Sequence, residues 1–401
     1  MIRLLLSAYA CFPDWGTEPG FGWNWALHLA RKGISVTVLT QVNNINGICR
    51  QLKDEKDGNL DLKFVGVNLR WTSSPYIHYL LWQRAALRKA KLLHLHKPFD
   101  IIQHVTFGSF HMGSWLWQLD SSPFILGPVG GGQTAPPELS AYFGREWWKE
   151  WVRSRITNLL RYSFWHKSMM RKSALVLATN KVTAKLAHDL GARRTELFLD
   201  TGLPEDFFVD ALPHNRWGKN SLNVLWAGRI MPRKGLCLAL DAISRVKIPI
   251  CLTILGDGPQ EPQISGWINE RKLRNKVKWY GRVPWSKMKK AYLEHDVFLL
   301  TSLRESFGSQ LIEAMATGLP IITLDLHGAQ DWVPKEAGIK VPYGNPEQTA
   351  NALAQALEGY ADMSVSQKLA MSQAGYEFAR LHTWPKKAER MIKLYEHILG
   401  L

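Results

Sequence analysis

The stretch Ser302–Thr323, SLRESFGSQLIEAMATGLPIIT, decides how the rest of the chain is interpreted. The apolar run Val297–Thr301 precedes it and predicts a strand, residues 303–308 are loop-like, and Ser309–Thr317 has helix-forming composition. Gly318 stands where a glycine ends a helix, and a second apolar run follows it. The pattern predicts a strand–loop–helix–strand unit. Its loop lies at the carboxyl end of a strand, where open α/β sheets bind ligands.

Two glutamates flank this loop. Glu305 lies in the loop, and Glu313 follows about a turn into the predicted helix. Between them, Phe307 and Gly308 precede Ser309, and the glycine lets a ligand approach the amides at the start of the helix. Isolated acids of this kind are most often solvated surface residues, so the pair by itself indicates no site.

The sequence around the two glutamates is more specific than the pair. E-x7-E, with S-F-G after the first glutamate and E-A-M-A-x-G-x-P from the second, resembles the donor-sugar signature of family-4 retaining glycosyltransferases, which have the GT-B fold. The resemblance implies that Glu305 contacts hydroxyls of a donor sugar and that Glu313 holds the ribose diol. It also implies that Phe307, Gly308 and Ser309 line the donor site.

A second motif follows the apolar segment Leu222–Gly228. Arg229 and Lys234 lie five residues apart between a predicted strand and helix, where two cations can meet a diphosphate. A solvated basic loop is the alternative for such spacing alone. G-R-x4-K-G also resembles the same family, which implies that Arg229 and Lys234 bind the donor diphosphate and stabilise it as the leaving group. Residues 281–284, which include Val283, resemble the family loop that meets the nucleotide base.

Glycines also follow the first predicted strand, Arg3–Tyr9. Residues 16–22 read GTEPGFG and precede a predicted helix, Trp23–Lys32. Amides at such a turn can meet a phosphate, although a turn without a ligand is the default for G-x-G alone. In the resembled family the corresponding loop faces the cleft, so Gly20 and Gly22 are candidate donor-binding residues.

The predicted strand Asp100–Val105 carries His104 near its end. A histidine at the end of a strand is more often packed than catalytic. Many family members place a histidine that contacts the donor sugar or handles a proton five residues after the aspartate. His104 is four residues after it, so a local bulge would be needed, and His111 is the alternative candidate.

The chain has 401 residues, of which 46% are hydrophobic and 21% charged, and it has no low-complexity tract. Strands and helices alternate throughout, which predicts an α/β protein. By resemblance this is a GT-B fold of two doubly wound Rossmann-like domains that face a cleft. We expect an acceptor-side domain in residues 1–205, joined by a crossover helix in residues 384–401, and a nucleotide-sugar-binding domain in residues 206–383.

The formal charge of +16 predicts an anionic partner. Aromatic and basic residues interleave in residues 70–97 and 146–172, a pattern that suits an anionic membrane interface better than nucleic acid. The alternative is a helix packed on the sheet with a solvated basic face. The four cysteines are scattered and indicate reduced thiols, and no run reaches the ~18 apolar residues that a membrane span needs. We therefore expect a cytoplasmic protein, with peripheral binding to the inner face of the plasma membrane left open.

The resemblance implies a retaining transfer of a hexosyl group from a UDP- or GDP-sugar to a hydroxyl of a glycan or polyprenyl-diphosphate-linked acceptor, of the bacterial surface-polysaccharide type. No D-x-D pair is present, so neither a metal nor another cofactor is expected. Two other classes stay open. One is a phosphorylase- or epimerase-like GT-B enzyme, and the other is a basic membrane- or nucleic-acid-binding protein with a degenerate site.

Overall fold

The computed structural model describes residues 1–13, 18–54, 60–69, 74–213, 216–217 and 221–401, and leaves out the side chains of residues 53 and 54. The start of the glycine segment (16–17) and part of the first aromatic-basic segment (70–73) lie outside these residues. Within them, the chain forms two compact units. The first comprises Met1–Gly132, Ile156–Gly202 and Trp384–Leu401, and the second comprises Gln133–Arg155 and Leu203–Thr383.

Strands and helices alternate along the described chain. The strands are β1 Arg3–Ala8, β2 Ser35–Gln41, β3 Leu62–Val67, β4 Ile101–Thr106, β5 Phe124–Val129, β6 Ser173–Ala178, β7 Thr195–Leu197, β8 Leu222–Ala227, β9 Ile250–Leu255, β10 Val277–Trp279, β11 Val297–Leu300, β12 Ile321–Leu324 and β13 Gly338–Val341. The helices are α1 Glu18–Arg31, α2 Ile45–Asp54, α3 Pro75–His96, α4 Trp147–Leu159, α5 Phe164–Lys172, α6 Lys181–Asp189, α7 Leu236–Arg245, α8 Ile264–Glu270, α9 Trp285–Glu294, α10 Ser309–Ala316, α11 His327–Trp332, α12 Pro346–Asp362, α13 Val365–Arg380 and α14 Trp384–Leu399. None of the helices in the described residues is both long and apolar enough to cross a bilayer.

The first unit is built on a parallel sheet with strand order β3-β2-β1-β4-β5-β6-β7. Every residue of β4 and β5 is buried, as expected for central parallel strands that helices cover on both faces. The last helix, α14, completes this unit. Trp384, Met391 and Tyr395 are buried in the same apolar cluster as Trp25 of α1, and the Tyr395 hydroxyl donates to the side-chain oxygen of Gln103 in β4.

The second unit has a parallel sheet with strand order β10-β9-β8-β11-β12-β13. The segment Gln133–Arg155 belongs to this unit, whereas the expected domain of residues 1–205 placed it with the first sheet. The reason is apolar packing. Leu139 and Phe143 are buried in the cluster that contains the α7 side chains, and the Tyr142 hydroxyl donates to Asp241 Oδ2 at 2.9 Å. Helical or apolar patterning predicts that such side chains are buried, but not which sheet covers them.

Candidate functional site

The predicted strand–loop–helix–strand unit is confirmed as β11, the loop 301–308, α10 and β12. β11 pairs in parallel with β8, with Val297 opposite Val224. The carboxyl ends of these two strands therefore lie at the same edge of the sheet. The loops that follow them, 228–235 and 301–308, meet there.

The two loops are held together by close backbone contacts. Gly235 has φ +68°, and a Cβ on it would overlap the carbonyl oxygen of Thr301, so glycine is required. The Thr301 hydroxyl donates to the Gly235 carbonyl at 2.8 Å and accepts from Trp226 Nε1 at 3.1 Å. The Leu303 amide donates to the Arg233 carbonyl at 2.8 Å. The two loops thus form one rigid edge.

This edge brings Glu305 and Lys234 together, two of the residues that the motifs singled out. Lys234 Nζ donates to Glu305 Oε2, and Arg233 Nη1 lies 3.2 Å from the same oxygen. Burial by itself would raise the pKa of Glu305, but the neighbouring cations, Lys234 foremost, lower it to about 2. Glu305 is therefore a carboxylate at neutral pH. Lys234 is only 7% exposed, so this ion pair is largely shielded from water.

The second cation beside Glu305 is Arg233 and not Arg229. Arg229 follows β8 on the protein surface, and no ion pair that includes it is found among the described residues. Sequence reasoning missed Arg233 because the motif spacing points to Arg229 and Lys234 only. The adjacent basic residues at 233 and 234 were the available signal.

The loop of Glu305 is also supported by the segment Gln133–Arg155. Glu150 receives two hydrogen bonds from Arg304, Nε to Oε2 at 2.7 Å and Nη2 to Oε1 at 2.9 Å. Gln133 Nε2 donates to Ser306 Oγ at 2.9 Å, and Arg153 Nη1 donates to the Gln133 carbonyl at 2.8 Å. These supports lie almost 150 residues or more from the loop in sequence, so no local motif pointed to them.

Glu313 lies in α10, where the structure buries it. Its Oε2 accepts from the Tyr292 hydroxyl at 2.8 Å and its Oε1 accepts from Trp285 Nε1 at 3.2 Å, both from α9. Burial raises the pKa of Glu313 and outweighs the lowering effect of these hydrogen bonds. A ribose diol at Glu313 would have to use the remaining lone pairs of this carboxylate. Sequence reasoning did not foresee the partners from α9.

The other residues of the predicted donor site surround the same edge. Phe307 is buried, Gly308 has φ +94° and precedes α10, and Ser309 is the first residue of that helix. Val283 is half-buried in the loop between β10 and α9. The amide of Gly256, in the loop that follows β9, donates to the Gly281 carbonyl at 2.7 Å and links the two loops.

The two candidate glycines of the first unit lie in a helix and not in a loop. α1 begins at Glu18, so Gly20 and Gly22 occupy its first two turns. A Cβ on Gly22 would overlap the carbonyl oxygen of Ala10. The missing side chain of Gly22 therefore lets α1 pack against the chain after β1. The Gly20 carbonyl accepts from Asn24 within the helix. At these positions the start of a helix takes the place of the expected loop.

His104 has no exposed surface. The pairing of β1 with β4 shifts register here, since Ser7 pairs with His104 and Ala8 pairs with Thr106, but the imidazole stays in the core. Its Nδ1 lies 3.1 Å from Ser7 Oγ and its Nε2 lies 3.2 Å from the Tyr79 hydroxyl. Burial lowers the pKa of His104 to about 4, so the ring is neutral. In this conformation His104 is a packed core histidine.

His111, the alternative candidate, is half-buried, and its Nε2 lies 2.7 Å from Thr157 Oγ1. The structure thus places both histidines in the first unit, with hydrogen-bond partners of their own. The cluster at the edge of the second sheet is the better-supported site.

Comparison with known proteins agrees with this location. Residues 212–378 match the family model Glycosyl transferases group 1. This range contains Lys234, Glu305 and Glu313, and it lies wholly within the second unit.

Two curated relatives carry glycosyltransferase names. The chain is 26% identical over 188 residues to the phosphatidylinositol N-acetylglucosaminyltransferase GPI3 subunit of Saccharomyces cerevisiae, a match that covers 45% of the chain and 40% of the relative. It is 29% identical over 217 residues to the phosphatidyl-myo-inositol mannosyltransferase of Mycobacterium tuberculosis, covering 53% of the chain and 56% of the relative. The chain thus spans about half the length of these relatives or less.

The fold is shared over the whole chain. The structure superposes on sucrose-phosphate synthase from Thermosynechococcus elongatus with a TM-score of 0.71 and 21% identity, covering 100% of both chains. With its two parallel Rossmann-like sheets, the protein has the GT-B fold that the sequence predicted.

Proposed function

We propose that this protein is a retaining glycosyltransferase that moves a hexosyl group from a UDP- or GDP-sugar to a hydroxyl of a glycan or lipid-linked acceptor, without a metal ion. The observation that carries the proposal is the ion cluster of Glu305, Lys234 and Arg233. It lies at the carboxyl edge of a parallel sheet, inside the range that matches the glycosyltransferase family model. Parallel sheets bind nucleotides at this edge.

The charges of the cluster suit an anionic donor. Lys234, Arg233 and Arg304 face two carboxylates, Glu305 and Glu150, so the loops hold an excess of cationic groups. Lys234 uses one of its three N–H donors on Glu305, which leaves donors for a diphosphate oxygen. In a site shielded from water, such a cation stabilises the negative charge that develops on a leaving group.

In the proposed reaction, the bond between the anomeric carbon and the diphosphate oxygen breaks, and the nucleoside diphosphate leaves with the bonding electrons. The acceptor hydroxyl oxygen forms the new bond to the same face of the sugar, and its proton passes to the departing diphosphate oxygen. Lys234 and Arg233, with Arg229 at the surface end of the same loop, offset the charge of the diphosphate. Glu305, held ionised, positions the donor sugar through its hydroxyl groups.

The acceptor proposal rests on the relatives and on the surface of the first unit. Both relatives are named for phosphatidylinositol compounds, which are membrane lipids. In the first unit, Leu159, Tyr162 and Phe164 expose 61, 82 and 81% of their surface, with the exposed base Arg161 among them. Exposed aromatic side chains with interleaved bases suit an anionic lipid surface. We therefore propose that this segment binds an anionic membrane.

Sedimentation with vesicles tests the membrane proposal. We expect the protein to bind vesicles that contain 30% anionic lipid and to bind neutral vesicles only a little. High salt should weaken the binding to anionic vesicles. Replacing Tyr162 and Phe164 with serine should reduce the bound fraction several-fold, whereas Tyr280→Ser, at an exposed tyrosine of the second unit, should not. Binding that does not depend on anionic lipid, or that is equal in all variants, would contradict this proposal.

A transfer assay tests the function itself. A panel of UDP- and GDP-sugars is incubated with glycan and lipid-linked acceptors, and product is measured with and without EDTA. We expect one donor to be used and EDTA to leave the rate unchanged. Lys234→Ala should lower the rate at least ~100-fold, since removing one charge-stabilising donor from an active site typically has that effect. Lys290→Ala, whose side chain is 81% exposed in the same unit, is the control.

Near-normal transfer by the Lys234→Ala variant would refute the site assignment. Consumption of inorganic phosphate, or interconversion of the nucleotide sugar without an acceptor, would instead identify a phosphorylase- or epimerase-like enzyme.

A further inference from the structure

His327, the first residue of α11, has an unusual backbone conformation. Its φ is +51°, in the left-handed region that residues other than glycine rarely adopt, and its side chain is only 7% exposed. Strained and buried positions of this kind persist only where surrounding contacts enforce them, and they cluster at ligand-binding sites.

A hydrogen bond of the His327 ring fixes its tautomer. Nε2 lies 2.9 Å from the carbonyl oxygen of Thr134. Because a carbonyl can only accept a hydrogen bond, Nε2 must carry the hydrogen and Nδ1 must present a bare lone pair. Burial, the main cause, lowers the pKa of His327 to about 4, so this neutral form is the one present at pH 7.

Nδ1 of His327 is buried and has no hydrogen-bond partner among the described residues. A buried acceptor without a donor is unfavourable, so a native protein that keeps one needs a reason for it. The site is polar, because the charges of Arg304 and Glu305 act on the ring.

His327 lies beside the loop that carries Glu305. It follows β12, which pairs in parallel with β11, so both chain ends reach the same edge of the sheet. The next residue, Gly328, packs so closely on the Ser306 carbonyl that a Cβ there would overlap it. Gln133 and Thr134, neighbours in the chain, bind Ser306 and His327 respectively, so one short segment positions both.

We propose that Nδ1 of His327 accepts a hydrogen bond from a hydroxyl group of the donor sugar bound beside Glu305, and that it selects the sugar. This inference rests on the proposed function. A neutral acceptor favours a sugar that presents a hydroxyl at that position. It disfavours one with a carboxylate there, which can only accept, and one that lacks the hydroxyl and leaves the nitrogen unpaired.

Calorimetry with four probes, UDP, GDP, UDP-glucose and GDP-mannose, tests this role apart from turnover. His327→Gly removes the acceptor and tolerates φ +51°, so the variant should fold. Gln330→Ala, an exposed residue of the same helix, is the control. For the base that the wild type binds, we expect His327→Gly to weaken binding of the nucleotide sugar about tenfold while changing that of the free nucleotide less than twofold.

Deoxy analogues of the bound sugar add a readout that a purely structural role would not move. The wild type should bind one monodeoxy analogue about tenfold less tightly than the parent, and His327→Gly should bind both equally. Equal loss of affinity for nucleotide and nucleotide sugar, or unchanged discrimination in the variant, would overturn the role of His327 and leave the proposed function standing. If the wild type binds none of the four probes, the proposed function and this inference both fail.

Discussion

Removing the charge of Glu305 should destabilise the fold, whereas removing the charge of Glu313 should not. The pKa of Glu305 falls from its ordinary 4.5 to about 2 because cations surround it. At ~1.4 kcal/mol per pKa unit, the ionised form contributes about 3 kcal/mol to folding. Because the folded pKa lies below the unfolded one, this stabilisation is fully present above about pH 4.5 and is lost as the pH falls through about 2. Glu305→Gln should therefore lower the free energy of unfolding by about 3 kcal/mol at pH 7.

For Glu313, ionisation of the carboxylate changes the stability of the fold in the opposite direction. Burial raises its pKa, so the ionised carboxylate opposes folding as the pH rises above its ordinary value. In Glu313→Gln, the amide oxygen can accept from Trp285 and the amide nitrogen can donate to the Tyr292 hydroxyl oxygen. The hydroxyl hydrogen of Tyr292 then loses its acceptor, a cost that removal of the buried charge offsets. We expect this variant to be as stable as the wild type at pH 7, or more stable.

Urea unfolding followed by tryptophan fluorescence, at pH 7, 5 and 3 and constant ionic strength, measures both effects. Glu294→Gln removes an exposed partner of Lys290 and should change the free energy of unfolding by less than ~0.5 kcal/mol. The free energy of unfolding that Glu305→Gln loses relative to the wild type should be smaller at pH 3 than at pH 5. If Glu305→Gln is as stable as the wild type at pH 7, or if its loss of stability does not depend on pH, then Lys234 and Arg233 do not stabilise the fold through the charge of Glu305.

Two further predictions concern the ion pair of Glu150 with Arg304 and the close packing of Gly22. Glu150→Gln should leave Arg304 with one weakened partner and destabilise the loop 301–308 by about 2 kcal/mol. The loop amides should then exchange hydrogen faster, as measured by mass spectrometry, and unchanged exchange would contradict the supporting role of this pair. Gly22→Ala should lower the melting temperature by several degrees, because its methyl group overlaps the Ala10 carbonyl. Gly266→Ala in α8, where the methyl group meets nothing within 4 Å, should raise it slightly, and equal shifts for the two would contradict the packing argument.

Local patterns were enough to predict much of the architecture. The apolar run before Ser302, the helix-forming stretch after Gly308 and the glycine at 318 act over a few residues, so the order β11, loop, α10, β12 follows from them. The alternation of such units predicted parallel sheets. The strand order of the folded sheet, which places β8 beside β11, brings the loops of Lys234 and Glu305 together at the carboxyl edge.

Which side chains make the site was decided by tertiary packing. Arg233, and not Arg229, lies beside Glu305, because the turn before α7 points the later arginine toward the neighbouring loop. Gly20 and Gly22 lie in the first two turns of α1, and Gly22 packs against backbone where a ligand was expected. The strand pairing shifts register beside His104, yet the ring is buried between two strands and a helix.

The contacts between Glu150 and Arg304, and between Thr134 and His327, join residues more than 150 positions apart. Sequence periodicity reports how a segment buries its own apolar face. It carries no information on which distant charge or carbonyl will satisfy a polar group once that face is buried. The sequence by itself therefore determined the sheets and the place of the site. The tertiary structure alone decided the charge state of Glu305 and left Nδ1 of His327 buried without a partner in the described part of the chain, because both depend on groups brought together only by folding.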